Sequence, residues 1–437
     1  MSIKTLYQVS QPAFMNAAVT TLPLVLYSTK RTEPQFKYVL DVYYSGATTR
    51  LTRVKFANNN ATNDGAGVID LAPLIQPYLE YDQPWYQTGS NSPITYNAHS
   101  FTFVGGEEYA DSTSGSVILY NGTTTPGEPA FTASVNNIYF ACQEYNDGYN
   151  WDWQDYQGKW LTNQNYTSSE FPKIVYNGDY ETISMFDTIS GSGIFQNVSS
   201  SYAEVYSGST LLHGDFLNGF TSAPSNSRLL RYIGIGPQNL SDYDVNFSSS
   251  LTGSWTDIKL TVSGSLDATV RDPNFEAIYY FKNGGCTNYD RTRFAFINKL
   301  GVWDYYNIDL PLKKDTKLTK KTTNRTHLQY QTIAGTEGGG VPALDGSIYN
   351  RDDRGKDIYY TETKDEFVID TDWLDEGQAN WLTEMFNSPD VYIQVGSYFQ
   401  PINITSANYA WKANKRKDKI FKYNIRYQLA NQRIARY

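Results

Sequence analysis

The sequence predicts a mainly β fold, with two β-sandwich-like domains followed by a smaller α+β carboxy-terminal domain. The first reason is composition: 37 Tyr and 21 Phe stand beside only 19% charged residues. Tyr, Phe and Thr suit half-buried strands, whereas Asn, Gly and Ser suit turns. The second reason is that short apolar runs recur between turn-rich breaks, without α/β alternation. The third is length, since 437 residues exceed what one hydrophobic core usually holds.

The first predicted domain spans residues 1–158. "LPLVLYST" is a compact strand candidate, and apolar side chains occupy every second position from Phe36 to Tyr44, the pattern of a half-buried strand. "TRLTRVKFAN" predicts the next strand, and Pro73 is compatible with the first turn of a short helix that begins at Ala72. The domain ends in an aromatic and acidic loop, "NDGYNWDWQDYQGKW".

The second predicted domain spans residues 159–312. Its strand candidates are "YETISMF", "SYAEVYS", "RLLRYIGI", "TDIKLTV" and "EAIYYF", separated by Ser, Gly and Asn turns at a spacing typical of a sandwich or barrel. The stretch from Arg293 to Pro311, "RFAFINKLGVWDYYNIDLP", closes the domain as a hairpin whose turn is Asn298–Gly301. We interpret its aromatic residues as sheet and core residues.

The third predicted domain spans residues 313–437. It begins with "LKKDTKLTKKTTNRTHLQYQ", whose loose alternation predicts a solvated edge strand. An amphipathic helix is predicted near 373–386, capped by Thr371 or Asp372 and stopped at Asn387-Ser388-Pro389. Strands "VYIQV" and "QPINIT" follow, and strict alternation from Phe421 to Leu429 predicts a last amphipathic strand.

Charge is distributed unevenly along the chain. Residues 1–290 hold 14 Lys and Arg against 27 Asp and Glu, a net −13, whereas residues 291–437 carry a net +4. The acidic majority argues against a nucleic-acid coat, and the polarity suits head-to-tail contact with a charged neighbour. The basic runs Lys313–Arg325 and Lys412–Lys422 therefore predict a solvated face or an acidic protein partner, with nucleic acid unlikely on these grounds.

The sequence contains no motif for catalysis or for a cofactor. Its three histidines, His99, His213 and His327, are isolated, and Cys142 and Cys286 form no metal-binding motif. No phosphate loop, dinucleotide loop or nucleophile elbow occurs. We therefore expect no enzyme, no catalytic residue, no metal and no cofactor.

Two further features concern calcium and location. Acidic and amide residues gather in "DGSIYNRDDRG", but the spacing departs from a calcium loop and Arg351 and Arg354 compete for the acids, which favours a solvated loop. No secretion signal or membrane-length apolar run is present, so we expect no membrane insertion and synthesis in a cytoplasm.

The loop that ends the first domain is the candidate glycan contact. Trp151, Trp153, Tyr156 and Trp160 could form an aromatic platform for a sugar, among the acids Asp147, Asp152 and Asp155. Two carboxylates could also serve a glycosidase. We favour a third interpretation, in which the aromatic rings pack inward and the acids face water.

Several segments resemble uncharacterised structural proteins of tailed bacterial viruses, especially viruses of marine and gut Bacteroidetes. The segments are "FTFVGGEEY", "KWLTN", "RFAFINKLGVWDYYNI" and "NWLTEMFNSPDVYIQV…QPINIT". The resemblance implies a virion component in the tail, neck, baseplate or tail tip, assembled in the bacterial host cytoplasm. It carries over no functional residue.

Composition and resemblance together predict an assembly protein that forms a homo-oligomeric ring and contacts other virion proteins. Its expected interface is the carboxy-terminal helix and strands, with Trp373, Trp381, Phe386 and Tyr427 as candidates. The rival hypothesis is a spike or fibre that attaches to a host receptor or glycan through the Trp151–Trp160 platform. A glycoside hydrolase ranks last.

Overall fold

The computed structural model describes residues 4–8, 16–17, 23–28, 31–57, 66–79, 99–110, 117–121, 131–139, 160–164, 166, 169, 172–187, 197–217, 229–267, 270–285, 289–324, 330–333, 341–344, 355–406 and 421–431. Within these ranges the chain is mainly β and forms several sheets, which confirms the predicted fold class at that level. No helix in these ranges is long and apolar enough to cross a membrane.

The described strands of the amino-terminal part are β1 (Lys4–Gln8), β2 (Asn16–Ala17), β3 (Pro23–Tyr27), β4 (Lys37–Tyr44), β5 (Arg50–Phe56), β6 (Gly67–Asp70), β7 (His99–Ala110), β8 (Val117–Asn121) and β9 (Phe131–Tyr139). One sheet has the order β1-β3-β6, and the other has the order β2-β9-β7-β4-β5 with β8 beside β7. The short helix α1 (Ala72–Ile75) lies where Pro73 predicts it, followed by a 3₁₀ turn (Gln76–Tyr78).

The alternation that predicted β4 does not place its second face in water. Val39 and Asp41 are as fully buried as Tyr38 and Leu40, so both faces of β4, which lies between β5 and β7, are covered. Arg53 on β5 donates to both oxygens of Asp41, at 2.6 and 2.7 Å. A buried carboxylate is tolerated where a guanidinium pairs with it in this way.

The described elements of the middle part are β10 (Lys173–Val175), β11 (Thr182–Asp187), β12 (Asn197–Ser207), β13 (Thr210–Phe216), β14 (Leu229–Gly234), α2 (Pro237–Tyr243), α3 (Val245–Leu251), β15 (Asp257–Asp267) and β16 (Val270–Asn283). A five-stranded sheet has the order β10-β16-β15-β12-β13, and β11 pairs with β14. Their shared core contains Val205, Leu240, Phe247, Trp255 and Tyr279.

The described elements of the carboxy-terminal part are β17 (Thr292–Ile297), β18 (Trp303–Ile308), β19 (Lys313–Asn324), β20 (Tyr330–Ile333), β21 (Val341–Leu344), β22 (Lys356–Asp370), α4 (Glu376–Asn387), β23 (Val391–Val395), β24 (Tyr398–Ile404) and β25 (Asn424–Leu429). A seven-stranded sheet has the order β18-β17-β23-β24-β25-β22-β19, and β20 pairs with β21. Helix α4 packs against one face of the seven-stranded sheet through Trp381, Leu382 and Met385.

The predicted hairpin forms, but its place in the fold differs from the predicted one. Asn298 closes the turn by accepting from the backbone of Leu300 and Val302, and Gly301 has a φ of +79°. Strand β17 pairs with β23, from Arg293↔Gln394 to Phe296↔Val391. The hairpin therefore belongs to the sheet of the carboxy-terminal part, and the predicted boundary at 312/313 runs through that sheet.

Helix α4 begins later than predicted. Its N-cap is Asp375, not Thr371 or Asp372, because the Asp375 carboxylate accepts from the Gln378 backbone at 2.7 Å and the Gln378 side chain accepts from the Asp375 backbone. This reciprocal capping box satisfies two backbone groups at once. Thr371 is instead buried, where its hydroxyl accepts from the backbone of Tyr423 at 2.9 Å.

A buried ionic cluster joins the middle part to the seven-stranded sheet. Arg293 of β17 lies 2.6 Å from Glu181 and 3.2 Å from Asp179, and all three side chains are at most 1% exposed. Lys173 pairs with Glu181, and Arg291 lies 2.5 Å from Asp179. Burial opposes the charge on Arg293, but the two carboxylates raise its pKa above the ordinary value.

A second polar cluster holds helix α4 against the hairpin. The buried Asp304 carboxylate accepts from the Trp381 indole at 2.7 Å, from Asn298 at 3.0 Å and from Thr162 at 2.9 Å. Beside it, Glu384 accepts from the backbone of Lys299 at 3.0 Å and from the Asn163 side chain. Burial, together with the nearby charge of Asp304, raises the pKa of Glu384 to about 7.

We expect Arg293→Met to loosen both parts of the junction together. Removing one member of a buried ion cluster leaves charges unpaired and costs about 3–5 kcal/mol. Hydrogen exchange should therefore accelerate both in residues 173–187 and in residues 292–308, with residues 31–57 unchanged. The control is Arg50→Met, because Arg50 is 44% exposed and lies 3.7 Å from Asp41, where an ion pair contributes at most about 1 kcal/mol. If hydrogen exchange accelerated in only one of the two segments, the result would contradict the role of Arg293 in joining them.

We expect Glu384 to make stability depend on pH. Its folded-state pKa of about 7 exceeds the ordinary 4.5, so the folded chain binds the proton more tightly and this group's contribution falls as pH rises from about 4.5 to 7. Thermal unfolding at pH 5 and pH 8 should therefore differ less in Glu384→Gln than in the wild type. Glu376→Gln, at the exposed start of the same helix, should keep the wild-type difference. An unchanged difference in Glu384→Gln would refute the assignment.

Candidate functional site

The longest exposed feature of the seven-stranded sheet is the ribbon formed by β19 and β22. The two strands pair continuously from Lys313↔Val368 to Asn324↔Lys356. Only the last four residues of β22, Phe367–Asp370, also pair with β25. Residues 356–366 therefore have β19 as their only neighbouring strand among the described ones, over roughly 35 Å at about 3.3 Å per residue.

Strand β19 is the outer strand of this ribbon and is exposed at every residue. It carries one acid, Asp315, and five lysines: Lys313, Lys314, Lys317, Lys320 and Lys321. Strand β22 has the opposite balance, with two lysines against five acids: Asp357, Glu362, Asp365, Glu366 and Asp370. The ribbon as a whole is therefore almost neutral, but its outer strand β19 is strongly basic.

Part of this charge is paired across the two strands. Lys314 lies 2.8 Å from Asp365, and the Thr316 hydroxyl donates to the same carboxylate at 2.7 Å. These hydrogen bonds, that of Lys314 first, lower the pKa of Asp365 below its usual value. Lys321 lies 5.2 Å from the ring centroid of Tyr360, at a distance typical of cation–π contact.

Other charges in the ribbon oppose like charges. Lys317 faces Lys364, and the neighbouring row places Asp315 opposite Glu366. Like charges directly opposite one another destabilise a sheet. Lys364 pairs with Glu362 at 3.0 Å and Glu366 accepts from Thr405 at 2.8 Å. With the described residues, the side chains of Lys317 and Asp315 form neither an ion pair nor a hydrogen bond, so the outer strand retains unsatisfied charge.

Exposed apolar side chains accompany the charges. Leu318, in the middle of β19, is 58% exposed, and Tyr359 of β22 is 62% exposed. Tyr359 is the extra residue where the register shifts between Lys321 and Thr322, and such bulges locally increase strand twist. Among the described residues, the ribbon thus combines a free strand edge, unbalanced charge and exposed apolar side chains on both of its strands, features that suit protein binding.

A polar cleft lies at the junction of the middle part and the seven-stranded sheet. It measures about 540 Å³ and is lined by Asn177, Gly178, Tyr180, Gln238, Asp290, Arg291, Arg293, Gln394, Gly396 and Ser397. Gln394 donates to the backbone carbonyls of Gly178 and Gly396, at 3.0 and 2.9 Å. Its arginines are already neutralised by Asp179 and Glu181, so the cleft lacks the unbalanced positive charge that an anion site needs.

One of the candidate glycan contacts lies in the described part of the chain. Trp160 is buried in the core of the middle part, where its indole donates to the Ile278 carbonyl at 3.4 Å and meets the Tyr279 ring edge-on at a centroid distance of 5.9 Å. Its ring is therefore a core element in this structure. Trp151, Trp153 and Tyr156, with the acids Asp147, Asp152 and Asp155, lie outside the described residues, so the glycan hypothesis stays a prediction for them.

The four candidate assembly residues separate into exposed and inward-facing positions. Trp373 is 69% exposed, whereas Trp381 and Tyr427 are buried and Phe386 is half-buried against the Tyr423 ring. The helical spacing of Trp381 and Phe386 and the strand alternation at Tyr427 report core contacts of α4 and β25. Of the four, Trp373 has the most exposed side chain.

The remaining candidates from the sequence are possible metal ligands and the second basic run, and many of them lie outside the described residues. Within the described ranges no cluster of three or more His, Cys, Asp or Glu could hold a metal ion. His213 packs edge-on against Phe247, 3.6 Å from Asp244. His327, both cysteines, residues 345–354 of the candidate calcium loop and most of the second basic run are not among the described residues.

The sequence predicts only part of the ribbon. Its outer strand was predicted as a solvated edge, but the partner strand begins more than thirty residues later and its acidic side chains gave no sign of the pairing. Residue spacing could not have revealed the opposed like charges, because they depend on register. Comparison with known proteins adds no assignment: no protein-family model matches this chain, and no curated protein matches it.

Proposed function

We propose that this protein is a structural component of a tailed bacterial virus particle, in the tail, neck or baseplate, and that it acts by protein–protein assembly through the β19–β22 ribbon. The observation that carries the assembly role is the exposure of all twelve residues of β19 on the outside of a seven-stranded sheet. An unpaired edge of this length is a template for another strand, so a protein that keeps one exposed has either to protect it or to use it.

Lysines on an edge strand are a common protection against unwanted pairing. In β19 they do not occupy the edge evenly, because threonines and one acid are interspersed at Asp315, Thr316, Thr319, Thr322 and Thr323. Leu318 adds an exposed apolar residue at the centre. A mixture of charged, hydroxyl and apolar groups selects a matching partner, whereas lysines alone would reject strands in general.

Buried charged side chains elsewhere in the protein also support a scaffold role, because their partners lie within the chain. Arg293 and Lys173 satisfy buried carboxylates, and Asp304 accepts three hydrogen bonds. These groups hold sheets and a helix together. Of the segments that resemble virus structural proteins, "RFAFINKLGVWDYYNI" forms β17 and β18 of this framework, whereas "FTFVGGEEY" lies within β7 of the amino-terminal part.

The virion role predicts that the chain is present in purified particles of the virus that encodes it. Quantitative mass spectrometry of such particles should find the protein at a fixed copy number comparable to other tail or neck components. Its presence only in infected-cell lysate, at no constant ratio to the major capsid protein, would overturn the role.

The assembly role predicts that shortening the ribbon abolishes oligomer formation without unfolding the sheet. Thr316 and Asp365 face each other, so a two-residue Asn-Gly turn can replace residues 317–364. Native mass spectrometry should show an oligomer for the full chain and a monomer for the shortened chain, with unchanged circular dichroism from the remaining sheets. Trp373→Ala is the matched control and should assemble normally. Loss of assembly in Trp373→Ala alone would move the interface to that side chain.

A further inference from the structure

We infer that the partner of the exposed edge is a second copy of this chain, paired antiparallel to β19 about a two-fold axis at Leu318. The inference rests on the proposed assembly role and specifies its partner and register. It follows from three properties of β19: the parity of its free backbone groups, the spacing of its lysines and the unmatched charges of the ribbon.

Backbone geometry restricts the possible registers. In an antiparallel ladder, directly opposite residues share the same hydrogen-bonding character. Because β22 occupies one side of β19, only alternate residues direct their N–H and C=O groups to the free edge. A residue whose N–H and C=O point to the free edge must therefore oppose another such residue. In a symmetric pair of β19 strands, this condition places the two-fold axis between the two copies of one residue. Each register is named here by that residue.

Charge then distinguishes among these registers. With the axis at Leu318, each Asp315 opposes Lys321 of the second copy, and the remaining lysines all oppose threonines: Lys313 with Thr323, Lys314 with Thr322, Lys317 with Thr319 and Lys320 with Thr316. Eleven residues of each strand are paired, from Lys313 to Thr323, and no lysine faces a lysine. Opposite charges across a pair stabilise a sheet, whereas like charges destabilise it.

Neighbouring registers are worse. An axis at Lys317 opposes that residue to itself and Lys314 to Lys320, and an axis at Thr319 opposes Lys317 to Lys321. An axis at Thr316 also avoids lysine pairs, but it joins only the seven residues from Lys313 to Thr319 and leaves the outer part of the strand unpaired. The lysine spacing therefore favours one long register and disfavours those on either side.

The same register supplies an opposite charge for Asp315, which the ribbon leaves facing a like charge. Asp315, which faces Glu366 within its own ribbon, gains Lys321 of the second copy on its other side. Lys317, which faces Lys364 in its own ribbon, opposes Thr319 of the second copy and so meets no further lysine there. The two exposed Leu318 side chains meet at the axis. The acidic row Asp315–Glu366 of one copy is thus followed by Lys321 of the other.

A two-fold contact of this kind closes on itself and yields a dimer with one continuous sheet of fourteen strands, twice the seven of each copy. A ring of more copies would need a second, different contact. The two-fold pairing therefore defines a dimeric unit within the larger assembly.

The register is tested by crosslinking in the full chain with Cys142→Ser and Cys286→Ser. Leu318→Cys should give a covalent dimer with a short bis-maleimide, because residues on the axis have Cβ atoms about 5 Å apart. Thr322→Cys, equally exposed on the same strand, should not react, because its two copies would lie roughly 27 Å apart along the strands. Equal crosslinking of both variants would overturn the register.

A charge exchange separates pairing from folding. Asp315→Lys opposes lysine to Lys321 at two symmetric positions and should weaken dimerisation by at least about tenfold in sedimentation experiments. Combining it with Lys321→Asp restores opposite charges and should recover the dimer. An oligomer that persists without Leu318→Cys crosslinking, or an exchange that recovers nothing, would overturn the two-fold pairing and leave the assembly role intact. A full chain that stays monomeric at high micromolar concentration would overturn the pairing itself, and particle analysis would then decide the virion role separately.

Discussion

Arg293 is the residue on which the arrangement of the middle and carboxy-terminal sheets depends. A guanidinium that is 1% exposed needs carboxylates beside it, and its partners, Asp179 and Glu181, come from the segment between β10 and β11. Displacing either side would leave buried charge unpaired. Because β17 carries Arg293 and shares a sheet with β22, the same cluster fixes the base of the ribbon with respect to the middle part.

Local patterns were sufficient for the elements whose faces differ in polarity. Strict alternation from Phe421 to Leu429 predicted a strand; β25 forms over Asn424–Leu429 with Ile425 and Tyr427 buried, and Tyr423 is buried just before it. The Asn298–Gly301 turn was also predictable, because its geometry depends on one side-chain acceptor and one glycine. The start of α4 was misplaced, because Thr371 and Asp375 are both good caps by residue type, and only the tertiary contact of Thr371 with the Tyr423 backbone removes it from that role.

Other features depend on contacts that no local pattern encodes. Helices α2 and α3 are seven residues each, too short for a clear apolar period, and they are held by the core through Leu240 and Phe247. Trp381 and Tyr427 were candidates for a partner because aromatic residues are frequent in interfaces, but the same residues are frequent in cores. Burial decides between the two, and burial is a property of the assembled sheet and helix.

The basic stretch after Pro311 shows how strand register adds information that composition lacks. As a composition, five lysines in twelve residues describe a solvated edge. Pairing with β22 adds what composition lacks: Lys314 is satisfied by Asp365, while Lys317 and Asp315 each face a residue of like charge. A strand whose charges are all paired gains no electrostatic stabilisation from a further strand. A strand that opposes lysine to lysine in every register repels any further strand of its kind. β19 lies between these cases, because its unsatisfied charges stand at spacings that a strand of the same sequence can match.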